Sequence, residues 1–267
     1  MYPILLSVGP IDIYSLSVFL VLSWCVFSFP FWKKLRTQGV SEERIFDLMF
    51  YSTISAAVFS RIGFVLTHAS LFTDNMLKIV ALWVQPGLSF FSGLVFGILT
   101  LLYLSRAYKI RVGLVLDIVG VTLPWVIIVG KLGSLFDGSE VGLPAAFAWS
   151  VSYFNSEGLR HPVQLYEIIM LAILGIIMVF IERKAAQKKW SFGLVGIWFF
   201  FLYSFLSFVL EFFKQSTVYY LGISANQWIL VAFFAEALGA FYVRGGGREK
   251  GRMLFRTMYD RISKRTS

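Results

Sequence analysis

Long apolar segments separated by short charged stretches dominate this chain of 267 residues. Seven segments are long enough to cross a bilayer as helices, since a transmembrane helix needs about 17–25 mostly apolar residues. They cover residues 13–31, 45–68, 88–104, 114–132, 165–181, 192–213 and 228–243. The pattern predicts an all-α membrane protein, a polytopic bundle of about seven transmembrane helices, with a single transmembrane domain over residues 1–243 and a basic tail over 244–267.

The composition supports this class, because 58% of the residues are hydrophobic and 15% are charged, against about 25% charged in soluble domains. Nineteen of the 24 Lys and Arg residues follow the first, third, fifth and seventh segments, and three lie on the other side. By the positive-inside rule, this asymmetry predicts an N-terminus outside and a C-terminus in the cytoplasm. It also accounts for the net charge of +9, so we expect no nucleic-acid partner.

The single Cys25 lies within the first apolar segment and cannot form an internal disulfide. The chain shows no spacing of ligand residues typical of a metal site, so we expect neither a metal nor a cofactor. No cationic stretch precedes the first apolar segment, which is therefore interpreted as an uncleaved helix and not as a signal peptide.

Several charged residues lie within or beside the apolar segments, although a charge at the bilayer centre costs about 2.5–3.5 kcal/mol on insertion scales. Arg61 and Lys131 each lie well along a segment, toward the predicted outer face. Glu140, Glu167 and Glu211 lie toward the same face. We therefore predict a cluster of two cations and three carboxylates near the outer leaflet, which is either a structural ion network or an anion site.

Polar side chains also crowd the entry of the fifth apolar segment, in the block His161-Pro162-Val163-Gln164-Leu165-Tyr166-Glu167. The proline suits the first turn of a helix that starts here. A single His beside a proline is more often a cap or an interfacial contact than a catalytic group. The block therefore indicates a function only in combination with other motifs.

Five further stretches, taken with this block, resemble the bacterial prolipoprotein diacylglyceryl transferase family. Residues 161–167 match the family's His-Pro-x-Gln-Leu-Tyr-Glu motif without a substitution. The other stretches are Arg61-Ile62-Gly63-Phe64, Gly87-Leu88-Ser89-Phe90, Gly130-Lys131-Leu132-Gly133 followed by Asp137, Glu140 and Gly142, Ala148-Trp149-Ser150-Val151, and Glu211-Phe212-Phe213-Lys214-Gln215. The resemblance covers nearly the full length, and the chain is identified as a divergent member of that family.

The resemblance implies an enzyme of lipoprotein biosynthesis in the bacterial cytoplasmic (inner) membrane. Such transferases move a diacylglyceryl group from phosphatidylglycerol to the thiol of a lipobox cysteine in a prolipoprotein, and glycerol phosphate leaves. The expected partners are therefore phosphatidylglycerol, the lipobox segment of the prolipoprotein and membrane lipids. The thiol must lose its proton, because the thiolate is the nucleophile, and a cation must hold the phosphate.

The implied site residues form two groups. The candidates that assist deprotonation are His161, Glu140 and Glu211, and the candidates that bind substrate are Lys131, Arg61, Ser134, Tyr166 and Gln164. Within the second group, Lys131 is expected to hold the phosphate with help from Arg61.

Several positions depart from the family pattern. Phe91 stands where the family has His, and Ser134 stands where it has Asn. Lys131 and Ser207 both stand where the family has Arg. The signature Glu aligns with Ser139, one residue before Glu140. Lys keeps a positive charge but lacks the planar fork of donors that suits phosphate. Two functions therefore remain open: a divergent transferase, or a catalytically impaired homologue that binds lipid or prolipoprotein without transfer. A transporter is disfavoured, because no repeat halves or paired broken spans are visible.

Overall fold

The computed structural model describes residues 4–8, 11–82, 84–153, 156–216 and 218–244. Seven α-helices run through these residues, and each is long and apolar enough to cross a membrane. They are α1 (Ser15–Thr37), α2 (Glu42–Thr67), α3 (Phe90–Ala107), α4 (Val112–Asp137), α5 (Val163–Gln187), α6 (Leu194–Leu210) and α7 (Ala225–Arg244). The predicted all-α bundle of seven transmembrane helices is confirmed, whereas the predicted basic tail lies outside the described residues after Arg244.

Several helices continue beyond the apolar segments that predicted them. α1 carries Lys34 and Arg36 in its last turn, and α5 carries Lys184 in its own. Lys and Arg are good helix formers, and their charges interact favourably with the C-terminal end of the helix dipole. The predicted ends were therefore too early, because hydropathy registers the loss of apolar character and not the end of the helix.

The central helix of the bundle is α4, around which α1, α5 and α6 pack. Its most apolar stretch is 50% buried, compared with 17% for the corresponding stretch of α7, which packs on α6. Gly196 lets α6 approach α4 closely, because a Cβ built on it would lie 2.6 Å from the carbonyl oxygen of Leu116. Small residues at such crossings are typical of membrane helix packing. Helices α2 and α3 pack mainly against each other, beside this group.

Short antiparallel hairpins supplement the helices. They pair β1 (Ile4–Val8) with β2 (Ile11–Tyr14), β3 (Val151–Ser152) with β4 (Leu159–Arg160), and β5 (Tyr219–Tyr220) with β6 (Ile223–Ser224). A bridge between Gly142 and Lys214 joins the segment that follows α4 to the segment that follows α6. The described residues of these two segments, 138–153 and 156–162 after α4 and 211–216 and 218–224 after α6, cover the end of the bundle where α4 and α6 finish, which we call the capped end.

The opposite end of the bundle fixes the start of α6 to α4. The Asp117 carboxylate accepts hydrogen bonds from the backbone N–H groups of Gly193, at 2.7 Å, and Gly196, at 2.9 Å. These two groups belong to the donors that the first turn of a helix leaves without an intrahelical partner. The Arg244 guanidinium, at the end of α7, also donates to the carbonyl oxygen of Phe192 at 2.7 Å. Asp117 therefore has a structural partner in the backbone of α6.

Candidate functional site

Five charged side chains meet beneath the capped end, and we call them the ion network. Its members are Lys131 near the end of α4, Glu140 in the segment that follows, Glu167 in the second turn of α5, and Glu211 and Lys214 just after α6. With each group in its usual charge state, two cations face three carboxylates. The network therefore carries one net negative charge.

The Lys131 ammonium is surrounded by carboxylate oxygens. Its Nζ lies 2.6 and 2.7 Å from the two oxygens of Glu140 and 2.6 Å from Oε2 of Glu167. The Phe90 ring, at the start of α3, lies 5.5 Å from the same nitrogen. Only 7% of the Lys131 side chain is exposed, so the cation faces the interior of the bundle and not the acyl chains.

The Lys214 ammonium holds the other side of the network. Its Nζ lies 2.7 Å from Glu167 Oε1, 3.3 Å from Glu211 Oε2 and 3.4 Å from Glu140 Oε2. Asn226, in the first turn of α7, donates to Glu211 Oε1 at 2.7 Å. Burial alone would lower the pKa of Lys214, but the three carboxylates outweigh it and raise that pKa well above its usual value. Lys214 is therefore firmly charged.

Glu140 differs from the other two carboxylates in lying on a loop, with 30% of its side chain exposed. Burial alone would raise the pKa of Glu140, but the ammonium groups of Lys131 and Lys214 hold that pKa well below its usual range. The neighbouring Ser139 is exposed and turned outward. The loop thus brings the Glu140 carboxylate to Lys131, although Glu140 lies one residue after the position at which the resemblance implies a Glu.

The backbone of Glu140 is held by the buried Gln164 side chain of α5, which the buried Tyr153 side chain holds in turn. Gln164 donates from Nε2 to the carbonyl oxygen of Glu140 at 2.5 Å. Its own Oε1 accepts the Tyr153 hydroxyl at 2.6 Å. Burial raises the pKa of Tyr153 to about 12, so this hydroxyl keeps its proton and remains a donor. Gln164, predicted to bind substrate, therefore positions the Glu140 backbone.

His161 lies in a separate aromatic group at the surface of the capped end. It precedes α5, which lets its Nδ1 return to the Tyr166 hydroxyl at 3.2 Å. The Trp149 indole donates to the same hydroxyl at 2.9 Å, and the Phe213 ring lies 5.3 Å from the imidazole. Among the described residues, no hydrogen bond or ion pair joins the imidazole to the ion network. The structure thus brings His161 and Tyr166 together, apart from Lys131.

Arg61 also lies apart from the ion network. Its guanidinium donates to the carbonyl oxygens of Ile79, Lys78 and Gly87 at 2.7, 2.7 and 2.9 Å. The Phe72 ring lies 5.2 Å from the same group. In the part of the chain that the structure describes, Arg61 makes no ion pair. The second cation of the predicted cluster is therefore Lys214 and not Arg61.

The remaining predicted residue, Ser134, is buried and donates to the carbonyl oxygen of Lys131 at 3.1 Å. Phe91 and Ser207, which stand where the resemblance implies a His and an Arg, are both buried. Sequence reasoning missed Lys214 and Asn226 as site residues. The spacing of Glu211 and Lys214 was a usable signal, because side chains three positions apart meet in a helical turn.

These features are those of an integral, multi-pass membrane protein with a polar site at one end of its bundle. The site consists of buried opposite charges, and the carboxylate of one loop residue connects it to solvent. Such a site can hold an anion on its ammonium groups or accept a proton on its carboxylates.

Comparison with known proteins gives the family. The family model for prolipoprotein diacylglyceryl transferase matches residues 3–243, so the chain belongs to that family. Three relatives are named phosphatidylglycerol–prolipoprotein diacylglyceryl transferase. The protein of Idiomarina loihiensis is 31% identical over 85% of this chain and 87% of its own. The protein of the Wolbachia of Brugia malayi is 28% identical over 89% of this chain and 92% of its own. The protein of Nitrosomonas europaea is 26% identical over 90% of this chain and 88% of its own.

Proposed function

We propose that this protein transfers the diacylglyceryl group of phosphatidylglycerol to the cysteine thiol of a prolipoprotein lipobox. Family membership over residues 3–243 and the names of its relatives support the proposal. The structural observation that carries it is Lys131, a buried cation within a membrane-crossing helix, beside a carboxylate that reaches solvent.

The proposed reaction replaces a carbon–oxygen bond by a carbon–sulfur bond. The thiolate attacks the diacylglyceryl carbon that bears the phosphodiester oxygen, and the bond from that carbon to the oxygen breaks. The electron pair leaves with glycerol phosphate, and the thiol proton passes to a base of the protein. Catalysis then requires a positive charge near the phosphate and a proton acceptor near the thiol.

We assign the positive charge to Lys131, assisted by Lys214, because both ammonium groups lie within 3.4 Å of one oxygen of Glu140. Glu140 is the proposed base, since its side chain is the most exposed of the three network carboxylates. Glu211 and His161 are the alternative bases that the sequence suggested. Arg61, whose donors already meet three carbonyl groups, is assigned a positioning role.

Membrane orientation completes the proposal. Membership of the family implies the bacterial inner membrane. The distribution of Lys and Arg favours an N-terminus outside and a C-terminus in the cytoplasm. The two segments of the capped end follow four and six spans from the N-terminus and hold few basic residues, so the capped end then faces the outer leaflet. A lipobox cysteine and the headgroup of phosphatidylglycerol would meet the ion network there.

A second function is favoured by one observation: both lysines of the network are already paired with carboxylates. Phe91 and Ser207 add no charge that could replace them. The protein would then be a catalytically impaired homologue that binds lipid or prolipoprotein without transfer.

Mass spectrometry of a lipobox peptide incubated with the purified protein and phosphatidylglycerol tests both functions. Transfer adds the mass of one diacylglyceryl group, and Lys131→Met abolishes the addition because the phosphate loses its cation. Lys78→Met, a lysine in the segment between α2 and α3, should leave transfer unchanged. Absence of any mass shift across about pH 6–9, beside an active relative, would reject the transferase and leave the binding function.

A further inference from the structure

We infer that the Glu140 carboxylate occupies, in the resting protein, the place that the phosphodiester of an anionic lipid takes during binding. The inference rests on the proposed function and concerns how substrate enters the ion network. Glu140 is then an internal competitor of the lipid headgroup, which displaces it from Lys131 and Lys214.

The geometry of Glu140 resembles that of a bound anion. Its two oxygens lie 2.6 and 2.7 Å from Lys131 Nζ, and the second of them also lies 3.4 Å from Lys214 Nζ. One oxygen therefore faces both ammonium groups, as a phosphate oxygen would. Charge-assisted hydrogen bonds from an ammonium group form with both carboxylate and phosphate oxygens.

Exposure distinguishes Glu140 from the other carboxylate that bridges the same two lysines. Glu167 lies on α5 with 9% of its side chain exposed, whereas Glu140 lies on a loop with 30% exposed. Glu211 is 2% exposed and is held by Asn226 as well. Glu140 is thus the carboxylate that can leave the network without a movement of a helix.

The backbone around Glu140 would stay in place during such an exchange. Gln164 holds the carbonyl oxygen of Glu140 at 2.5 Å, and the Gln215 N–H donates to the carbonyl oxygen of Val141 at 2.9 Å. Rotation of the Glu140 side chain about its own bonds is therefore sufficient.

Charge balance favours a phosphodiester over other anions. A phosphodiester carries one negative charge, so its exchange for the Glu140 carboxylate leaves the network at one net negative charge. A phosphate monoester such as glycerol phosphate carries about −1.5 to −2 near neutral pH. The monoester product would make the network more negative, which favours its release and the return of Glu140.

Displacement of the Glu140 carboxylate from the two lysines also makes it a better proton acceptor. While the two lysines hold its pKa well below the usual range, the carboxylate is a very weak proton acceptor. Removed from them, its pKa rises back toward the usual range of a Glu carboxyl. Lipid binding thus frees a carboxylate beside the bound headgroup, where the thiol of the second substrate has to lose its proton.

Binding of short-chain phosphatidylglycerol to the protein in detergent tests the exchange without any need for transfer. Glu140→Gln removes the competing charge, so we expect binding at least about tenfold tighter than in the wild type. Glu157→Gln, an exposed carboxylate of the same connecting segment, should bind as the wild type does. Equal or weaker binding by Glu140→Gln would overturn the inference.

Short-chain diacylglycerol, glycerol phosphate and inorganic phosphate, each titrated separately, identify the chemistry that is recognised. A gain confined to phosphatidylglycerol supports the exchange with a lipid phosphodiester. A gain for free phosphate or the monoester in its place, or an equal gain for the lipid without a phosphate, contradicts it.

Carbodiimide labelling of carboxyl groups provides a second measurement on the wild-type protein, which does not depend on the folding of a variant. At about pH 6, labelling of Glu140 should increase several-fold when phosphatidylglycerol is added, while labelling of Glu157 stays constant. Unchanged labelling of Glu140 at saturating lipid would contradict the inference even in a protein that transfers lipid. Conversely, increased labelling in a protein without transfer would refute the proposed function alone.

Discussion

Removal of Lys214 should destabilise the protein more than removal of any exposed lysine. In the Lys214→Met variant, three carboxylates would face Lys131 alone, and the network would change from one to two net negative charges. Removing one partner of a buried ion pair typically costs about 3–5 kcal/mol. Lys214 is 12% exposed and contacts Glu167 and Glu211, which are 9% and 2% exposed, so we expect a loss within that range.

Unfolding in mixed detergent micelles, followed by circular dichroism, measures this loss. Lys78→Met is the matched control, because its partner Asp74 lies in solvent at 64% exposure, and such pairs contribute little. The double variant Lys214→Met/Glu211→Gln should recover part of the stability, since it restores one net negative charge and keeps an acceptor for Asn226. If Lys214→Met unfolded no more readily than Lys78→Met, the ion network would not be an energetic unit.

Two further predictions concern the titration of the network and the role of Arg61. The lowered pKa of Glu140 gives a stabilisation that is present above the ordinary Glu pKa and lost as the pH falls through the lowered value. The raised pKa of Lys214 gives a second stabilisation, which is present below the ordinary Lys pKa and lost as the pH rises through the raised value. Stability in detergent should therefore be flat between about pH 5 and pH 10, and a steep slope within that window would refute the assigned charges. Arg61→Met should accelerate amide hydrogen exchange in residues 69–89 while the ion network stays intact. Arg61→Lys should not restore protection, because lysine lacks the fork of directed donors. Unchanged exchange in Arg61→Met would refute the positioning role.

The sequence was sufficient to predict the seven helices, because an apolar segment of sufficient length has few alternatives to a membrane-crossing helix. It was also sufficient to indicate that Lys131 and three Glu residues lie toward one end. It was not sufficient to identify the second cation. Lys214 follows the sixth apolar segment, so the sequence pattern indicates a loop residue. The short helical turn after α6 directs its side chain back to Glu167.

The partners of Arg61 and Gln164 could not be predicted for a different reason. Both side chains bind backbone carbonyl groups, Arg61 those of residues 78, 79 and 87, and Gln164 that of Glu140. Every residue has such a carbonyl group, so no sequence pattern marks the one that will be bound. A sequence motif therefore identifies such a residue as polar but does not identify the loop that its side chain holds.

The anchoring of α6 has a mechanical consequence for the ion network. Asp117 and Gly196 fix one end of this helix to α4, while Glu211 and Lys214 follow its other end. Seventeen residues make a rod of about 25 Å, and a tilt of about 5° about the anchored end displaces the far end by about 2 Å. That displacement is comparable to the 2.7 Å that separates Lys214 from Glu167. A small change in the inclination of this helix would therefore be enough to make or break an ion pair of the network.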